Sequence, residues 1–143
     1  VYKRQVLRSD DGVGAYFCSL IEERKIKNIS VLIVQQLQTE LLEELSQFDI
    51  VVFVDAALIN EEFTFVKING DVNNNLSSSH HINANNFVHL AKQLYPSITK
   101  YYSLAIGASD FELGEQLSDA AKRNADKAFE HFLRHPEFIS GSY

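Results

Sequence analysis

Apolar positions along this chain switch repeatedly between a helical period and short unbroken runs. Val13, Phe17, Leu20 and Ile21 fall at i, i+4, i+7 and i+8 and predict an amphipathic helix over 12–25. Asp10 or Asp11 stands where an N-cap belongs. The run Ile29-Ser30-Val31-Leu32-Ile33-Val34 is short and β-branched, so it predicts a strand. Thr39 ahead of Glu40, Leu41, Leu42 and Leu45 predicts a capped helix of about two to three turns. The apolar core of 48–55 has the signature of a strand buried on both faces, as in a parallel sheet.

The second half keeps the same alternation. Phe63-Thr64-Phe65-Val66-Lys67-Ile68 predicts an edge strand, and the Asn- and Ser-rich stretch 69–79 predicts a loop. Phe87, Leu90, Ala91 and Leu94 define a helix over 83–94 that Pro96 stops. Tyr101-Tyr102-Ser103-Leu104-Ala105-Ile106 predicts a strand ended by Gly107. Ser118 caps a last helix over 119–133, with Ala121, Ala125, Ala128, Phe129 and Phe132 inward.

Helices and strands joined by short connections define an α/β fold. The expected form is a three-layer α/β/α domain on a mostly parallel twisted sheet, phosphorylase/hydrolase-like in type. A buried strand should precede the helix at Gly12, yet only Val6 and Leu7 are apolar there. The first strand is therefore expected to be missing. The sequence contains no methionine and opens Val1-Tyr2-Lys3-Arg4-Gln5, which reads as translated adapter sequence. The expected organisation is a non-native leader at 1–5, one domain at 6–134 and a tail at 135–143.

Composition narrows the function classes. The 143 residues suit one domain with one sizeable core. A net charge of −6 argues against binding nucleic acid or an anionic membrane, and no apolar run is long enough to span one. The single cysteine excludes an intramolecular disulfide, which suits a cytoplasmic protein. Cys18 falls inside a predicted helix and reads as a packing residue.

In open α/β sheets, ligands bind beyond the carboxyl ends of the parallel strands. Asp55 stands at such an end, Asp11 at the end of the strand expected before Gly12, and His80 in the loop before the third helix. Two carboxylates and an imidazole on one rim form a donor set for zinc or nickel. Each residue also has a plainer role: Asp11 as a helix cap, Asp55 in an Asx-turn, His80 as a solvated loop residue. His89 reads as structural, and His131 and His135 as solvent-facing. Gly12-Val13-Gly14 lacks the phosphate-binding pattern, and Asp10 and Asp11 would repel phosphate.

Four ordered segments carry a family resemblance. Leu7-Arg8-Ser9-Asp10-Asp11-Gly12-Val13-Gly14 resembles the end of the glycine-asparagine … aspartate-aspartate-glycine-x-glycine opening of hydrogenase maturation proteases. Val52-Phe53-Val54-Asp55-Ala56 resembles that family's strand ending in Asp-Ala, and Ser79-His80-His81 its histidine loop. The segment 111–118 resembles the approach to its last helix, and 36–41, just before a helix, is also similar. The resemblance covers about residues 6 to 133.

The resemblance implies a five-stranded sheet flanked by helices. It also implies an endopeptidase that cuts a C-terminal extension from the large-subunit precursor of nickel-iron hydrogenase once nickel is in place. Nickel would arrive with that precursor. The metal-contacting trio maps onto Asp11, Asp55 and His80, with Asp11 and Asp55 catalytic and His81 the alternative register for the histidine. Gly12, Gly14 and His81 would face the substrate. The alternative is a non-catalytic metal-sensing or precursor-binding module on the same fold. Arg4-Gln5 replaces the family's glycine-asparagine pair. With the first strand missing as well, the chain as written is expected to be unstable.

Overall fold

The computed structural model describes residues 3–9, 12–71, 83–108 and 117–135. Its elements in chain order are β1 Arg4–Arg8, α1 Gly12–Arg24, β2 Ile29–Ile33, α2 Leu41–Leu45 and β3 Ile50–Ala57. There follow β4 Phe63–Ile68, α3 Ala84–Leu94, β5 Lys100–Gly107 and α4 Asp119–Arg134. The strands form one open sheet in the order β2-β1-β3-β5-β4. All pairs are parallel except β4 against β5.

Strand alternation divides the core into two layers. Val6 of β1, Ile50, Val52 and Val54 of β3, and Tyr102, Leu104 and Ile106 of β5 face α1 and α4. Leu7, Val51, Phe53 and Tyr101 face α2 and α3. This explains the unbroken apolar run at 50–54, where both sides of the strand are covered. At the centre of the first layer, Phe17 meets Phe129 and Phe132 edge-on, with ring centroids 5.8 and 5.7 Å away.

The expected gap at the centre of the sheet is not there. β1 fills it, paired along its length with β2 on one side and β3 on the other. Val6 and Leu7 are each 1% exposed, as a central strand demands. Arg4 and Gln5, set apart by the sequence as leader residues, belong to this strand and are buried. Burying them is possible because their side chains find carbonyls at the sheet edge. Arg4 Nη2 donates to Lys27 O at 2.8 Å, and Gln5 Nε2 donates to Ser30 O at 3.1 Å. The base of the strand is tied down as well, since Lys3 O accepts from Asp49 N at 2.8 Å. The expectation of instability rested on an absent strand, and it loses that ground.

The second difference is α2, which spans five residues rather than two to three turns. Thr39 is not its cap; Glu40 occupies that position in helical geometry, with no side-chain cap bond. The predicted Ser118 cap holds, the Asp10 or Asp11 cap lies outside the described residues, and Asn83 caps α3. Asn83 accepts from Asn86 N at 2.8 Å, and Ser118 accepts from Ala121 N at 3.1 Å.

The Tyr101 hydroxyl lies in the core with no hydrogen-bond partner among the described residues. Desolvation by burial raises its pKa above the ordinary 10.0. Because the folded pKa is raised, this group's stabilisation is complete below pH 10 and is lost as pH rises through the folded value. Tyr101→Phe is expected to stabilise the protein by about 1 kcal/mol at neutral pH. Its margin over wild type should widen above pH 10. Urea denaturation at neutral and alkaline pH checks both; a variant less stable at neutral pH contradicts the burial argument.

Candidate functional site

The sheet order reverses between β1 and β3: from β1 the chain moves outward to β2, then returns to β3 on the other side. A crevice opens at such a switch point, beyond the carboxyl ends of the two strands. β1 ends at Arg8, opposite Val54, while β3 continues through Asp55, Ala56 and Ala57 with only β5 beside it. Asp55 therefore emerges at the switch point as soon as its neighbour stops. Its side chain is exposed.

The carboxylate is nonetheless held. Asp55 Oδ1 accepts from the Ser9 hydroxyl at 2.8 Å and from Ala56 N at 2.8 Å. The second contact is local, to the N–H of the next residue rather than the one two residues on, so it is not the expected Asx-turn. The first comes from across the crevice. Ser9 is itself fixed by the sheet: its N–H extends the ladder to Val54 O at 3.3 Å, and its carbonyl accepts from Arg8 Nη1 at 3.1 Å. Sequence reasoning missed Ser9, although it stands in the same motif as Asp10 and Asp11.

Of the other predicted site residues, Gly12 and Gly14 lie in the first turn of α1. Gly14 is buried, and a Cβ on Gly12 would make only ordinary contact with Leu117 Cδ1 at 3.7 Å. Asp11, His80 and His81 lie outside the described residues, as does Asp10. Among the described residues, no three His, Cys, Asp or Glu side chains group as a metal site.

The flanks of the histidine segment are well defined. Residues 69–71 run along α3 toward its N-terminus, tied by three side chains spaced along one helical face. Lys92 Nζ donates to Asn69 O at 2.9 Å, His89 Nδ1 to Gly70 O at 2.9 Å, and Asn85 Nδ2 to Asp71 O. A carbonyl partner requires the proton on Nδ1 of His89, so this histidine is structural, as expected. Gly70 adopts φ +77° and packs so closely on the α3 backbone that a side chain would be strained there.

Both flanks thus meet at the N-terminal turn of α3, where Asp71, Asn83, Ala84, Asn85 and Asn86 line a depression with Ser103. Ser103 is two residues before Ala105, the cross-strand partner of Asp55. Sheet spacings put Ser103 and Asp55 roughly 8 Å apart, on the same face by alternation. Asp55 therefore faces the side of the sheet on which Asp71 and Asn83 lie.

At the far end of the rim, Gly107 closes β5 against the 58–62 connection and α4. Its N–H donates to Glu62 O at 2.9 Å, and its carbonyl accepts from Asn124 Nδ2 at 2.8 Å. A Cβ here would collide with the Glu61 carbonyl oxygen, so the close approach requires glycine.

His131 and His135 are not simply solvated. His131 is exposed and His135 half-buried, and both rings pack on Phe65 at 5.2 and 5.7 Å between centroids. His135 caps the C-terminus of α4. Cys18 is buried in the core, as its helical position predicts.

An open, doubly wound α/β domain with an exposed, oriented carboxylate at its switch point defines the class of protein. No family model matches the sequence, and no curated protein does. Solved structures do match. The nickel-iron hydrogenase maturation protease HycI from Thermococcus kodakarensis KOD1 is similar with a TM-score of 0.65 and 19% identity, over 90% of this chain and 89% of that one. The hydrogenase maturating endopeptidase HybD from E. coli gives 0.69 at 13% identity, over 92% and 90%. A hydrogenase 2 maturation peptidase from a Thaumarchaeota archaeon gives 0.67 at 11% identity, over 95% and 99%. The fold of this chain is that of the hydrogenase maturation proteases. No helix among the described residues is long and apolar enough to cross a membrane.

Proposed function

We propose that this protein is a hydrogenase maturation protease: a cytoplasmic endopeptidase that removes the C-terminal extension of a nickel-iron hydrogenase large-subunit precursor after nickel insertion. The observation that carries the reading is Asp55, exposed and hydrogen-bonded at the switch point of a fold shared with such enzymes. The ordered sequence motifs at Asp11, Asp55 and His80 support it independently.

Nickel enters as cargo of the precursor. Asp11, Asp55 and His80 supply carboxylate and imidazole donors that suit it, so the trio recognises a loaded substrate and positions the scissile bond. Asp11 and Asp55 are the catalytic pair. A carboxylate at an exposed rim can take a proton from the attacking water as general base. Gly12 and Gly14 at the start of α1, with His81, face the substrate backbone. The rim is open, which suits a peptide presented by a large protein partner better than an enclosed small molecule.

Incubation with nickel-loaded precursor tests this. Loss of the extension from the large subunit is expected. Tight binding with unchanged mass would instead make the protein a non-catalytic, precursor-binding module. Equilibrium nickel titration of the isolated protein addresses the source of the metal: weak binding alone and tight binding with precursor are expected if the substrate supplies it.

A further inference from the structure

We propose that Ser9 is a positioning residue for Asp55, fixing the direction in which that carboxylate meets the substrate; the inference rests on the proteolytic reading of this rim. An exposed aspartate at a strand end ordinarily samples several rotamers. Here two donors converge on one oxygen: the Ser9 hydroxyl and Ala56 N, each at 2.8 Å from Oδ1. Two bonds to Oδ1 set both the side-chain torsion and the plane of the carboxylate.

Ser9 suits this role because it is rigid. The Arg8 carbonyl before it accepts from Val34 N at 2.9 Å on the β2 side, and Ser9 N donates to Val54 O on the β3 side. The hydroxyl is thus presented from the last fixed point of β1, across the crevice to the residue that follows Val54 on β3. A hydroxyl on a neighbouring strand can hold the carboxylate without neutralising its charge, which a lysine or arginine there would do. Outer partners of this kind typically contribute roughly 10–100-fold to metal-directed affinity or activity.

Ser9→Ala should lower kcat for precursor processing by roughly 10–100-fold with KM within about twofold. Ser9→Thr, which keeps the hydroxyl, should restore most of the rate. In the Asp55→Ala background, Ser9→Ala should have no further effect, because both act through one carboxylate. A crystal structure of Ser9→Ala should show Asp55 in more than one rotamer, and Ser9→Thr a single one. An unchanged kcat in Ser9→Ala, or a single unaltered Asp55 rotamer, would overturn the assignment. The rotamer comparison needs no activity, so it decides the role of Ser9 even if the protein cleaves nothing. Conversely, a fully active Ser9→Ala protein removes the positioning role and leaves the protease reading standing.

Discussion

Replacing Asp55 by alanine is expected to lower kcat/KM for precursor processing by on the order of 10²–10⁴-fold, the range a positioned acid–base group contributes. The fold should survive the change. Asp55 is exposed, and the contacts it gives up among the described residues include one hydrogen bond to Ser9 and one to its own neighbour. Each such bond is worth about 0.5–1.5 kcal/mol net, or up to about 3 when one partner is charged. The melting transition should therefore shift modestly while activity collapses. Asp55→Asn sharpens the test, since it keeps the side chain's size and an acceptor for the Ser9 hydroxyl but removes the charge. It should be as inactive as alanine and more stable. A variant that processes within tenfold of wild type would take Asp55 out of the catalytic pair.

Deleting residues 1–8 is expected to abolish cooperative thermal unfolding. β1 lies between β2 and β3, so its loss unpairs both neighbours and opens both core layers at once. Val6 and Leu7 alone bury side chains worth roughly 1.5–3 kcal/mol each. To this are added the parallel ladders on either side and the exposed faces of β2 and β3. A domain of this size has about 5–15 kcal/mol in total. The full 143-residue chain should melt in one transition, in contrast to the instability that the sequence alone suggests. Calorimetry on the two proteins decides the matter. A deleted form that still melts cooperatively within a few degrees of the full chain would mean that β1 is dispensable.

That reversal shows where sequence patterning stops. Most elements were legible because their burial is simple. The 50–54 run is covered on both faces and is apolar throughout; α3 and α4 carry one apolar stripe each and begin at Asn83 and Ser118, which cap them. β1 was not legible because Arg4 and Gln5 are polar in a buried strand. Their accommodation depends on carbonyls of Lys27 and Ser30, more than twenty residues away, which no local pattern contains. α2 was overestimated for a related reason: the Thr39 signal is genuine chemistry, but the chain turns into β3 after five helical residues.

The site divides in the same way. Asp55 could be found from sequence, because an acid directly after a doubly buried strand marks a sheet's carboxyl rim. Its partner Ser9 could not be, since their contact depends on the register that sets Arg8 opposite Val54. His89 was recognised as structural from its place on a helix, while its bond to Gly70 needed the path of 69–71 along α3. Asp11, His80 and His81 lie outside the described residues, and their roles rest on the motifs alone. The described geometry adds that Asp55 and the flanks of the histidine segment share one face of the sheet.

The most direct measurement is the intact mass of a nickel-iron hydrogenase large-subunit precursor after incubation with this protein, in nickel-loaded and nickel-free forms side by side. The loaded precursor should lose its C-terminal extension under substoichiometric protein, and the nickel-free precursor should keep it. An unchanged mass for the loaded precursor, with the protein shown to be folded, would contradict the assignment as a maturation protease.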